Sequence, residues 1–224
     1  MKSYKAILAG AALLAVPALC SAALVTSFES GDLDGWGAGT LNGVTTMVNT
    51  DRASDGSYSA GVSFAVATNF SGWTVNNIVE NDARNFLTAG STEMSVDVYS
   101  DWANPNGWGV YGNSIKLILN YDGGWTTVDP VSDPGLANGS FQTFTFDLTS
   151  YAPTIANPAL SYSSVGIAWH VGTWGGDGGG STYTENGTQT LAVDNIHVIP
   201  EPATLGMIAF AGASLLVVRR RFMM

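Results

Sequence analysis

EMSVDVYS, residues 93–100, alternates without interruption. Met94, Val96 and Val98 fall on one side of an extended chain and Glu93, Ser95, Asp97 and Tyr99 on the other, because successive side chains of a strand point to opposite faces. SFQTFTFDL, residues 140–148, repeats the pattern, with Phe144, Phe146 and Leu148 inward and Thr143, Thr145 and Asp147 outward. Period-two, β-branched or aromatic runs recur near 24–29, 44–49, 58–66, 73–79, 92–99, 114–121, 141–148, 163–171 and 190–198. No segment of the domain shows sustained helical periodicity with caps. Nine such runs separated by Gly, Asn and Asp turns predict an all-β domain of two packed antiparallel sheets, a β-sandwich.

The last run, TLAVDNIHV (190–198), breaks the alternation at one place. Leu191 and Val193 are odd-numbered, Ile196 and Val198 even-numbered, so the inward parity flips at Asp194 and Asn195. A β-bulge there returns both apolar pairs to the core and re-aims Asp194.

With 224 residues, 46% of them hydrophobic, the chain is long enough for one domain that buries about 70% of its unfolded-chain surface. Charged residues are only 12%, roughly half the usual share, so the surface is polar but weakly charged. From Leu24 to Ile199 the basic residues are Arg52, Arg84 and Lys116 against seventeen acids, a net charge of −14. Nucleic acid and anionic lipid are poor partners for such a domain. The acids are dispersed, which separates this chain from one with a disordered acidic tail.

Both ends read as targeting segments. MKSYKAILAGAALLAVPALCSA, residues 1–22, has Lys2 and Lys5, an apolar run from Ala6 to Leu19, and small residues before a cleavage point, the layout of a secretory signal peptide. Its apolar run is shorter than the roughly 20 residues of a spanning helix. Cys20 is the sole cysteine, and the bulky Leu19 before it argues against lipid attachment. Cleavage after Ala22 or Ala23 leaves a mature chain without disulfides, thiol nucleophiles or cysteine metal sites. At the other end, residues 203–218 are apolar and are followed by Arg219, Arg220 and Arg221. Arginines at a membrane edge stay cytoplasmic, so a single transmembrane helix is expected here with the domain outside. A buried core helix is the rival reading, opposed by prolines in front and charges behind.

Pro200, Glu201 and Pro202, then ATLGMIAFAGASLLVV and RRR, resemble the PEP-CTERM sorting signal of Gram-negative bacteria. That resemblance implies export through the Sec machinery and transient anchoring in the inner membrane. It further implies recognition by an exosortase and delivery to the cell surface or an exopolysaccharide matrix, as in a biofilm. It divides the chain into a signal peptide (1–22), an extracellular domain (23–199) and a sorting signal (200–224). It says nothing about what the domain does.

The domain itself carries FESGDLDGW with Phe28, Glu29, Gly35 and Trp36, then DGSYS, MSVDVYSD, FQTFTFDL and the closing AVDNIHV. Together these resemble the galactose-binding-like β-jelly roll of carbohydrate-binding modules. The resemblance implies a structural calcium ion where the first and last strands meet, at Glu29, the loop residues Asp51, Asp55 and Ser57, and Asp194. Carboxylate and carbonyl oxygens drawn from distant segments suit calcium's shell of roughly 6 to 8 oxygens. The alternative is that these are ordinary turn acids, since Asp before Gly is itself a turn signal. An EF-hand is rejected: counting from Asp32, the twelfth position is Gly43 where a bidentate Glu is needed.

Sugars lay their C–H faces on exposed rings, so the candidate binding residues are aromatics near turns. Trp102, Trp108 and Tyr111 lie in SDWANPNGWGVYGN, Trp125 follows DGG, and Trp174 lies in GTWGGDGGG; Asn104, Asn106 and Asp122 supply polar neighbours. Rings beside loops also plug sandwich ends, and Trp is highly buried on average. Trp36 and Trp169 read as core.

Catalysis finds little support. His170 and His197 accompany no Gly-x-Ser-x-Gly turn and form no spaced metal cluster. Glu93 and Asp97 share a face about 13 Å apart, beyond the roughly 5 to 9.5 Å of glycosidase pairs; Glu80 and Asp82, near 7 Å if extended, read as loop acids. The sequence therefore predicts a non-catalytic, surface-sorted module that binds polysaccharide. A structural or adhesive protein without a sugar site is the alternative, and a glycan hydrolase the third.

Overall fold

The alternation at 93–100 is realised in the strand Ser91–Asp101 (β8) of the computed structural model, which describes residues 22–41, 44–65, 72–101, 110–132, 136, 139–173 and 188–200. Met94, Val96 and Val98 are fully buried, as are Phe146 and Leu148. Ser140–Asp147 (β11) runs antiparallel beside β8 and sets Phe144 opposite Val96 and Phe146 opposite Met94. Two independent alternations thus agree on one inward face, the arrangement that register specificity requires.

These strands begin a six-stranded sheet. Its order is β11, β8, Thr188–Pro200 (β13), Ser59–Ala65 (β6) and Met47–Asn49 (β5), with Ala23–Thr26 (β1) also on β13. A five-stranded sheet runs Gly124–Val128 (β10), Val110–Tyr121 (β9), Ser163–Thr173 (β12), Gly72–Asp82 (β7) and Gly37–Ala38 (β2). Thr40–Leu41 (β3) and Val44–Thr45 (β4) form a small ribbon. Between the sheets lies one apolar cluster that includes Phe28, Trp36, Leu117, Phe146, Ile167, Trp169 and Val193. The fold is the expected antiparallel β-sandwich, within a unit spanning Ala22–Ile199. No described helix is long and apolar enough to cross a membrane. The expected sorting helix at 203–218, and all but the last residue of the expected signal peptide, lie outside the described residues.

β13 explains its own broken alternation. Leu191 and Val193 stand opposite Val62 and Ala60 of β6, whereas Ile196 and Val198 stand opposite Thr26 and Ala23 of β1. The strand therefore changes partner at Asp194 and Asn195. Asn195 has φ +45°, a left-handed conformation in which Asn is several-fold enriched. That turn of the backbone resets the pleat, and Leu191, Val193, Ile196 and Val198 all reach the core.

In the other sheet the central strand β12 sends Val165, Ile167 and Trp169 into the core between the sheets, while Gly166 and Ala168 alternate to its other face and are buried there too. Gly166 is small because the Asn77 side chain of β7 occupies the place of a Cβ. Gly39 is more tightly held: its N–H donates to the Ile78 carbonyl at 2.9 Å, and a Cβ there would overlap the Asn77 carbonyl oxygen. Backbone cannot retreat as a side chain can. Gly39→Ala is expected to lower the stability of the domain by about 1–3 kcal/mol, read as an earlier urea-unfolding midpoint at unchanged slope.

Candidate functional site

Two parts of the described surface carry polar chemistry, one on each sheet. On the six-stranded sheet, Asp194 is fully buried. Its Oδ2 accepts the backbone N–H of Ser54 at 2.8 Å and of Asp55 at 3.4 Å, and its Oδ1 accepts that of Asn195 at 2.8 Å. The Ser54 hydroxyl lies 3.1 Å from Asp194 Oδ2 and 2.8 Å from Asp97 Oδ2. Asn195 Nδ2 donates to Ser54 Oγ at 2.9 Å, and Thr143 Oγ1 donates to Asp97 Oδ1 at 2.6 Å. One serine hydrogen thus serves two carboxylates. Burial pushes the Asp194 carboxyl above its ordinary value of 3.8, against the pull of the amides that donate to it.

Glu29 holds the other side of the same turn. Its Oε1 accepts the N–H groups of Ser57 and Tyr58, both at 2.8 Å. Gly56, at φ +72°, leaves the space that the Glu29 carboxylate fills. The structure therefore gathers Glu29, Asp55, Ser57 and Asp194 around one turn, as the calcium expectation requires. Their oxygens, however, face amides, and Asp55 Oδ1 accepts the N–H of the adjacent Gly56 at 2.9 Å. Among the described residues no group of three or more His, Cys, Asp or Glu side chains is placed to hold a metal ion. This donor set fits a turn closed by hydrogen bonds and does not fit a calcium cage.

The five-stranded sheet offers an open face. Trp125 lies in the edge strand β10, just after the turn its neighbouring glycines mark, and is 70% exposed. It stands opposite Asn120 of β9. Tyr162, 46% exposed, donates its hydroxyl to Asn120 Oδ1 at 3.0 Å. Asp122 binds the backbone N–H and hydroxyl of Ser161, which fixes the segment entering β12 and draws the Asp122 carboxyl below its ordinary range. Sequence reasoning missed Asn120 and Tyr162. Tyr162 precedes β12 in the phase of Ser164, so extending the alternation by one step would have found it.

Of the five aromatic candidates, only the Trp125 side chain lies among the described residues. Tyr111 belongs to β9, where a loop was expected; Trp102, Trp108 and Trp174 lie outside the described residues, as does the Tyr111 side chain. Nine positions of β9 separate Tyr111 from Asn120, about 30 Å along the strand. Segment 102–109 ends at Val110 of β9 and segment 174–187 begins after Thr173 of β12, and Val110 and Thr173 are paired. Trp36 and Trp169 are core, as expected.

The acid pairs are committed elsewhere. Asp82 gives both oxygens to Arg84, whose guanidinium holds its carboxyl below the usual range. Glu80 accepts from Asn77 Nδ2 at 2.7 Å. Asp97 is bound into the Ser54 network.

No protein-family model matches the chain, and no curated protein sequence matches it significantly. Its fold is similar to solved carbohydrate-binding modules. One, from a study of promiscuous specificity in modules of the β-sandwich superfamily, superposes with a TM-score of 0.52 at 15% identity, over 79% of this chain and 61% of that one. This chain therefore spans about six tenths of that protein's length. A xylan-binding domain from Paenibacillus barcinonensis gives 0.48 at 12% identity, over 82% and 95% of the two chains. A module specific for non-crystalline cellulose gives 0.47 at 15%, over 80% and 96%. At such identities the likeness is one of fold.

Two measurements follow from the turn. A carboxyl whose folded-state pKa is raised contributes stability that is complete below its ordinary 3.8 and is lost as pH rises through the folded value. Asp82, Asp122 and Asp147, held low, act in the opposite sense and lose their contribution on acidification. Asp194→Asn removes only the first effect. Urea unfolding between about pH 3.5 and 7 is expected to show the variant gaining stability relative to the parent chain as pH rises; a constant difference would refute it. Excess chelator is expected to leave the melting temperature unchanged, and a fall would restore the calcium ion.

Proposed function

We propose that the domain is a non-catalytic polysaccharide-binding module. The observation that carries this reading is Trp125, a large ring left 70% exposed on a sheet face that also presents Asn120 and Tyr162. Burying an indole of that size on a partner would gain about 2–3 kcal/mol, and a ring beside hydrogen-bonding groups is what stacking on a sugar requires. The resemblance in fold to carbohydrate-binding modules supports the same class of ligand. Trp102, Trp108 and Trp174 remain candidate rings of the same reading.

The same proposal takes residues 1–22 as a signal peptide for Sec export and 200–224 as a sorting signal read by an exosortase. The order of Pro200, Glu201 and Pro202, an apolar segment, then Arg219, Arg220 and Arg221 supports it. The domain would pass through an inner-membrane-anchored stage and finish on the surface, or in the extracellular matrix, of a Gram-negative bacterium. A glycan hydrolase is disfavoured because Asp82 is closed by Arg84 and Asp97 by Ser54 and Thr143.

Glycan-array binding by the full chain, followed by affinity electrophoresis in the polysaccharides found, tests the function. Trp125→Ala is expected to weaken binding about tenfold or more, with no sugar released by the parent chain. Absence of binding to every polysaccharide, including that of the source cell, leaves the structural or adhesive role instead.

A further inference from the structure

We infer that the glycan is an uncharged, extended chain lying across the strands of the five-stranded sheet at its hairpin end, on the row Trp125, Asn120, Ser164 and Asp82. This rests on the polysaccharide-binding function proposed above. The ladders set the row: Trp125 stands opposite Asn120, Asn120 opposite Ser164, and Ser164 opposite Asp82. Residues directly opposite in antiparallel pairs project from the same face. Four side chains from four neighbouring strands therefore face out together along three strand spacings, about 14 Å. A row of that length spans a few pyranose units.

The chemistry along the row changes in the order a sugar chain would use. Trp125 offers an apolar face at the edge. Asn120 comes next, with its Oδ1 held by the Tyr162 hydroxyl, which orients the amide nitrogen as the donor for a sugar oxygen. Ser164 supplies a hydroxyl that both donates and accepts. Asp82 closes the row, fixed by Arg84, whose Nη1 is anchored on the Leu160 carbonyl at 2.7 Å. A chain laid along β9 would instead run from Asn120 over Ile118 to Lys116, which is paired with Asp129. Across the strands a ring is followed by an amide and a hydroxyl before the Asp82–Arg84 pair; along them an aliphatic side chain separates Asn120 from the Lys116–Asp129 pair.

Charge decides the class of glycan. Glu80, Asp82 and Asp122 lie in or beside the row, Arg84 pairs with Asp82 and attracts Asp122 at longer range, so three carboxylates face one cation, and the domain carries −14. A uronate or sulfated chain would meet unmatched carboxylates and be repelled. An uncharged chain meets only hydrogen-bonding groups.

Titration calorimetry of the full chain with cellohexaose, xylohexaose and mannohexaose, their shorter homologues, and polygalacturonate tests the row. At least one neutral hexasaccharide is expected to bind, with affinity rising over the first few sugars and then levelling. Asn120→Ala and Ser164→Ala are each expected to cost about three- to tenfold in affinity, the worth of one hydrogen bond, at unchanged melting temperature. Tyr162→Phe, which keeps the ring and frees the Asn120 amide, is expected to cost a similar factor. Full affinity in all three variants, with binding lost in Trp108→Ala, would overturn the row and leave the binding function standing. Preference for polygalacturonate would overturn the uncharged ligand. No binding to any of these probes, or to any polysaccharide on the array, would remove the function as well.

Discussion

A buried carboxylate sets the terms for this sandwich. β13 is central in its sheet, yet no single partner covers its free edge: β6 serves residues 188–193 and β1 serves 196–198. A strand that keeps strict alternation through such a change would turn half its apolar set toward solvent. Asn195 in the left-handed region resolves this, and the backbone groups it frees are met by Asp194. Burying a charge without partners is costly, and here three amides and a hydroxyl surround it. The same contacts tie the turn at 54–58 to β13, to β8 through Asp97 and to β11 through Thr143. Removing the Asp194 carboxylate therefore disturbs the last strand, the turn and two neighbouring strands at once.

That turn also makes the two outer faces unequal. Tyr99 points outward from β8, as its place in the alternation demands, but is only 6% exposed. The Arg52 guanidinium lies 5.1 Å over its ring, and Phe141 packs beside it with centroids 5.4 Å apart. Arg52 reaches Asp101 at 4.0 Å as well. A cation on a ring, partly withdrawn from water, is a modest but real contribution. Tyr99 and Phe141 are thus covered by the chain itself, whereas Trp125 and Tyr162 on the five-stranded sheet are not.

Period-two alternation is a local signal, which is why β8 and β11 with their inward residues, and the extent of β12, were legible in the sequence. The parity flip in TLAVDNIHV was legible for the same reason, together with the re-aimed Asp194. Its partners were not, because Ser54, Asp97 and Thr143 are brought in from 140, 97 and 51 positions away and nothing local marks such meetings. Short elements also escaped. β2, β3 and β4 span two residues each and exist through tertiary pairing. The turn at Ala152–Ile155 hides behind a proline and is held by Leu148 and Tyr151 carbonyls. The acids around Glu29 stay open in the sequence between calcium ligands, which the resemblance implies, and turn acids, because residue type alone does not distinguish a cation from a set of amide hydrogens.

The exposure of Trp125 is a matter of register. Asp122 and Gly123, with Gly123 at φ +95°, close a two-residue hairpin that sets Gly124 opposite Tyr121 and Trp125 opposite Asn120. Thr126 and Val128 then fall opposite Leu119 and Leu117 and turn inward. One residue more or fewer in the turn would exchange the faces and put the indole toward the core. The DGG that looked like an ordinary loop signal is therefore the element that points Trp125 outward. β10 is an edge strand, paired on one side in its sheet, where a packed aromatic would have been the easier solution for stability. Its ladder holds the ring on the open face instead, in line with Asn120, Ser164 and Asp82.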